Sequence, residues 1–121
     1  MNYKQPTREE IDEFLRRLVQ KIRVFGIVFR SRDKNLQTLA DLGITALQRE
    51  KFLTGLNYKN YSTGPNKDNY DPAKPDYYEF GVIINGEEVY IKISPGIENK
   101  PADCMSFHIA GYKMSYPFQG K

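Results

Sequence analysis

The sequence predicts an α+β fold, with N-terminal helices packed on one face of a mostly antiparallel β-sheet. Three observations carry this: an apolar stripe at helical spacing from Ile11 to Ile22, two alternating segments joined by Asn85-Gly86, and a further alternating segment from Cys104 to Ala110. The chain has 121 residues, 40% of them hydrophobic and 27% charged, which is one domain's length with enough apolar content to form a core. Residues 1–121 therefore read as a single domain.

Thr7 and Glu10 have the spacing of a capping box with Pro6 just ahead, so a first helix is expected over residues 8–23. Ile11, Phe14, Leu15, Leu18, Val19 and Ile22 share its inner face, and Asp12, Arg16, Arg17 and Lys21 its outer one. Val24 to Phe29 is a short β-branched and aromatic run that reads as a strand, with Gly26 as a candidate bulge. Leu36, Leu39, Ala40 and Leu42 space a second helix starting at Lys34, stopped by Gly43. Thr45 and Gln48 repeat the capping-box spacing and open a third helix ending near Leu56. From Asn57 to Asp76 the composition shifts to Asn, Lys, Tyr, Gly and Pro and reads as one long loop; Tyr58, Tyr61 and Tyr70 in it either stack on bases or pin it to the body.

The hairpin register follows by counting outward from a two-residue turn. Ile84 then faces Glu87, Val82 faces Val89, Phe80 faces Ile91 and Tyr78 faces Ile93, all on a core side. The other side pairs Ile83 with Glu88, Gly81 with Tyr90 and Glu79 with Lys92. With Met105, Phe107 and Ile109 joining the apolar face, Cys104, Ser106 and His108 fall on the polar one. Glu79, Tyr90, Lys92, Ser106 and His108 thus share one strand-built surface. Cleavage of RNA by its own ribose 2′-hydroxyl uses such a set: Glu79 or His108 takes the proton, the other assists the leaving group, and Lys92 and Tyr90 stabilise the phosphorane. The plain reading of the same residues is a solvated strand face carrying a surface ion pair.

One Cys and one His are too few for a closed His/Cys zinc site or an internal disulfide, and no phosphate-binding glycine loop or dinucleotide fingerprint is present, so no metal and no cofactor is expected. The lone thiol, and the lack of an export signal or membrane-length apolar run, give the expectation of a cytoplasmic protein without a membrane partner. The net charge is +3; residues 1–60 carry 12 Lys or Arg against 7 Asp or Glu, and residues 61–121 carry 6 against 8. The basic half, with Arg16 and Arg17 foremost, is either a phosphate-backbone contact or a solvated helix face.

Tyr90-Ile91-Lys92-Ile93 is similar to a Tyr-aliphatic-Lys strand, and Ser106-Phe107-His108 to a Ser-Phe-Lys strand, of the MqsR-like toxins of bacterial type II toxin–antitoxin pairs, in the RelE/ParE toxin group. The order of helix, short strand, helix pair and the Leu56 to Tyr61 entry into a loop resembles that family's first half. The resemblance implies a RelE-like architecture, an mRNA endoribonuclease acting on free or ribosome-associated RNA, a cognate antitoxin as partner, and catalytic roles for Tyr90 and His108. His108 occupies the place of the family's C-terminal Lys, Glu79 that of a Gln, and Thr63 that of a loop Lys, with Lys59 nearby. Catalytic roles are therefore expected for Glu79, Tyr90, Lys92 and His108, and substrate binding for Arg16, Arg17, Lys59, Tyr61 and Ser106. The second reading is a noncatalytic toxin-like domain that binds a protein or RNA.

Overall fold

The computed structural model describes residues 5–120. In chain order they form α1 (Arg8–Phe25), β1 (Ile27–Phe29), α2 (Asp33–Leu42), α3 (Ala46–Thr54), a 3-10 turn (Tyr58–Asn60), β2 (Tyr61–Asn66), β3 (Tyr77–Ile84), β4 (Glu87–Ser94) and β5 (Ala102–Ile109). The fold is α+β. The strands form one five-stranded sheet in the order β1-β5-β4-β3-β2, in which β1 runs parallel to β5 and every other pair is antiparallel.

Helix α1 starts on its capping box: the Thr7 hydroxyl accepts from the Glu10 amide at 3.1 Å, and the Glu10 carboxylate accepts from the Thr7 amide at 2.9 Å. Ile11, Leu15, Leu18 and Ile22 are its buried stripe, packed with Phe80, Ile91 and Phe107 of the sheet in the main core. The helix runs on through Val24 and Phe25, which the sequence assigns to a strand, and leaves Val24 72% exposed. It stops at Gly26, whose φ of 81° only glycine adopts readily; Gly26 is a helix terminator, and the strand after it is three residues long.

The hairpin has the register counted from its turn, from Ile84 opposite Glu87 to Glu79 opposite Lys92 and Tyr78 opposite Ile93. Asn85 and Gly86 both have positive φ, 50° and 84°, as a twist-matched two-residue turn requires. Phe80, Ile84, Val89, Ile91 and Ile93 are buried against the helices.

Two further expectations, the loop over 57–76 and the alternation of the last strand, are corrected. The first part of the long loop over 57–76 is ordered structure: β2 is an edge strand paired with β3, with Tyr61 opposite Phe80 and Thr63 opposite Glu79. In β5 the alternation breaks. Lys92 pairs with Ser106 but Ile93 pairs with Cys104, so Met105 is an extra residue in a β-bulge. Cys104 therefore joins Phe107 in the core instead of the polar face, while Met105 lies outside that core cluster, in a cavity with Val28 and Asp103.

Helix α2 also turns differently from its leucine spacing. Leu36 is 53% exposed, and the buried positions are Asn35, Thr38 and Leu42. Strand β1 pairs only with residues 102–104, which leaves the next stretch of β5 without a neighbouring strand. Asn35 and Thr38 fill that role. The Asn35 Oδ1 accepts from the Phe107 amide at 3.1 Å, its Nδ2 donates to the Arg30 carbonyl at 2.9 Å, and the Thr38 hydroxyl accepts from the Ile109 amide at 3.2 Å. Among the described residues no helix is long and apolar enough to cross a membrane.

Candidate active site

The sheet face turned away from the helices carries Glu79 from β3, Tyr90 and Lys92 from β4, and His108 from β5, on three adjacent strands. Cross-strand pairing makes Glu79 the neighbour of Lys92 and Tyr90 the neighbour of His108. The Tyr90 hydroxyl donates to Glu79 Oε2, and the Thr63 hydroxyl of β2 donates to Glu79 Oε1. Both oxygens of the carboxylate are thus engaged by hydroxyl groups. The imidazole of His108 lies 5.2 Å from the Tyr90 ring, centroid to centroid, and is partly exposed. Its Nδ1 is 2.9 Å from the Ile109 carbonyl. A carbonyl only accepts, so in the neutral ring Nδ1 carries the hydrogen and Nε2 keeps the lone pair.

Lys92 sits with its ammonium 4.2 Å from the centre of the Tyr77 ring, a cation–π contact. Burial, followed by the hydrogen bond to Glu79 and the charge on that carboxylate, pushes the Tyr90 phenol well above its ordinary pKa. Tyr90 therefore stays protonated and acts as a hydrogen-bond donor. Burial, then the charges of Glu79 and Asp68, raise Tyr77 in the same direction.

The C-terminal segment walls the site on the β3 side. Tyr116 lies over Gly81, where a Cβ would stand 2.1 Å from the Tyr116 hydroxyl, and that hydroxyl donates to Glu88 Oε2 at 2.7 Å. Gly81 is the cross-strand partner of Tyr90, so only glycine lets this wall approach so closely. Lys59 is exposed and lines a cavity of about 260 Å³ with Gly81, Glu88 and Tyr116, one strand away from Tyr90.

The remaining residues expected to bind substrate are placed elsewhere. Tyr61 is buried in the core, 1% exposed, with its hydroxyl donating to the Gly64 carbonyl at 2.6 Å; it pins β2 and presents no ring for stacking. Ser106 stands opposite Lys92 but is buried, so it is floor and not a substrate contact. Arg16 and Arg17 are exposed on α1, on the helix side of the sheet, and both donate to Glu13, at 2.6–2.9 Å and 2.7 Å. The hydrogen bonds from these two arginines hold the Glu13 carboxyl down at about 2. Neither guanidinium reaches the surface that carries Lys92.

Of the two further residues in contact with the cluster, Thr63 is named from sequence only as the place of the family's loop Lys, in a strand concealed by Gly64-Pro65, and Tyr77, which directly precedes the alternating run, is not singled out. Among the described residues no group of three or more His, Cys, Asp and Glu side chains is arranged to hold a metal ion. No family model matches the chain, and neither a curated protein nor a solved structure matches it.

Proposed function

We propose that this protein is an endoribonuclease of the toxin type that cleaves RNA through the ribose 2′-hydroxyl and is held in check by an antitoxin. The carrying observation is that Tyr90, Lys92 and His108 stand on one sheet face of adjacent strands, with the Tyr90 hydroxyl bonded to Glu79. The α+β layout is compatible with the RelE-like architecture implied by the resemblance, and the Tyr-aliphatic-Lys strand is the segment that carries the cluster.

The geometry favours a division of labour. His108 Nε2, the ring nitrogen with a free lone pair, takes the 2′-hydroxyl proton as the 2′-oxygen attacks phosphorus. Lys92 neutralises the phosphorane and gives a proton to the 5′-oxygen as its bond to phosphorus breaks. Tyr90, which keeps its proton, swings its single O–H from Glu79 to a phosphorane oxygen as charge develops there. Glu79 touches Tyr90 and Thr63 and works through them, as a positioning residue. The products are a 2′,3′-cyclic phosphate and a free 5′-hydroxyl.

Incubation of the purified protein with a defined RNA, with and without ribosomes, tests this reading. His108→Ala and Lys92→Ala should each lower cleavage by about 10²-fold or more with the circular dichroism spectrum unchanged. A single 2′-deoxy substitution at the scissile nucleotide should abolish the cut. RNA left intact under both conditions would overturn the proposal, and growth inhibition that survives both substitutions would favour a protein-binding toxin instead.

A further inference from the structure

A second concavity lies on the same sheet face, beyond Lys92. Its volume is about 290 Å³, at the lower end of small-molecule sites. Met105, the bulged residue and only 6% exposed, lines it together with Val28 of β1, which is 53% exposed despite being a large apolar residue. Pro75 and Pro101 belong to the loops that border it. Gly96, at φ 75°, lets the β4–β5 loop close: a Cβ there would stand 2.6 Å from the Pro101 carbonyl. Ser94 lies in the floor, two residues from Lys92 on β4 and hence about 7 Å along the strand on the same face.

The polar groups of this cavity are few. Asp68 accepts hydrogen bonds through Oδ1 from the amides of Tyr70 and Asp71, at 2.9 and 3.1 Å. Its Oδ2 accepts none among the described residues. Those amides, with the nearby charges of Lys74 and Lys92, keep its carboxyl below the ordinary range and so ionised. Asp103 is already paired with Arg30, at 2.8 Å. Lys74 and Lys100 are exposed cations among the lining residues. Apolar walls, one carboxylate oxygen free to accept, and two ammonium groups match a flat apolar-faced ring with an N–H edge and an attached phosphate.

We infer that this cavity binds a single nucleotide, its base against Val28 and Met105, an exocyclic amino group donating to Asp68, and its phosphate at Lys74 and Lys100. Adenine, cytosine and guanine carry such a group; uracil has none, and its one ring N–H, at N3, is flanked by two carbonyl oxygens that the carboxylate repels. That the nucleotide is the neighbour of the scissile one in an RNA strand rests on the nuclease reading; binding itself does not.

The chain has three methionines, so methyl-labelled protein gives few signals to resolve, and Met114 lies outside the cavity as an internal control. Titration with AMP, CMP and GMP should shift the Met105 methyl resonance saturably and leave that of Met114 in place, while UMP binds at least tenfold more weakly. Asp68→Asn should erase the preference over UMP. Val28→Glu, a change at an exposed position, should abolish the Met105 shift with the melting temperature retained. A Met105 signal unmoved by millimolar nucleotide, or moved equally by inorganic phosphate, overturns the inference. A short 2′-deoxy oligonucleotide that binds more tightly than the monomer identifies a strand as the source; equal binding identifies a free nucleotide and overturns the subsite role. Cleavage with Met105 unmoved would sink the cavity and leave the nuclease; nucleotide binding without cleavage would do the reverse.

Discussion

Tyr90 is the residue on which the candidate site turns, because it meets Glu79 by hydrogen bond and His108 ring to ring. Removing only its oxygen separates chemistry from packing. Tyr90→Phe should lower RNA cleavage by about 10²–10³-fold if the phenol donates to the phosphorane, and should cost about 1–2 kcal/mol of stability through the lost bond to Glu79. Single-turnover cleavage and a urea melt report the two separately, and unchanged cleavage would take Tyr90 out of the mechanism. Cys104 is the contrasting case. Burial pushes its thiol up to about 12, only partly offset by the Arg49 charge. An acid whose folded value exceeds its unfolded one gives stability that is complete below the unfolded value and lost as pH rises towards the folded one. Between about pH 9 and 12 this thiol should therefore lower stability by up to about 1.4 kcal/mol per pH unit. Native protein should resist thiol reagents at pH 8 and react only once denatured; rapid labelling of the native protein would contradict its place in the core.

Among the elements, the pair of α2 with the edge of β5 makes the sharpest stability prediction. Asn35 and Thr38 stand where a longer β1 would have hydrogen-bonded, so each change there strands a buried backbone group. Asn35→Ala should cost about 3 kcal/mol and Thr38→Val about 1–2 kcal/mol, both measurable by chemical denaturation; losses below about 0.5 kcal/mol would show that water replaces these contacts. The same contact explains why the leucine spacing locates this helix but not its buried face. Leucine spacing marks an apolar face, but the surface to be covered is a row of amides and carbonyls, which selects Asn and Thr. The hairpin was legible because a period of two and an Asn-Gly turn fix register without reference to the rest of the chain, and Glu79, Tyr90 and Lys92 were placed by counting alone. Past the hairpin that local logic fails. Strand β2 shows no alternation, since an edge strand tolerates Gly64 and Pro65 and gains its order from β3. The bulge at Met105 is invisible as well, because Cys104 and Met105 are both apolar enough to face the helices. His108 stays on the polar face because it lies on the hairpin side of the bulge.

At the scale of the molecule, the uneven charge along the chain does not become one basic surface. The Arg-rich helix α1 lies behind the sheet with Arg16 and Arg17 engaged by Glu13, whereas Lys74, Lys92 and Lys100 belong to the other face, where the candidate site and the cavity lie. The fold thus separates the α1 arginines from the lysines that can meet a strand bound at Lys92, while Arg30, on the cavity side, is engaged by Asp103. Each phosphate neutralised on a single strand contributes about −0.7 to the slope of log K against log salt, so three contacts predict a slope near about −2. Lys74→Ala and Lys100→Ala should each flatten that slope by about 0.7, while the double change of Arg16 and Arg17 to Ala should leave it unaltered. Fluorescence anisotropy with a 2′-deoxy strand, which binds without being cut, measures all of these over a range of potassium chloride. A slope that flattens on loss of the two arginines, and not on loss of the lysines, would put the nucleic acid across the helices and leave the strand-built cluster without a substrate.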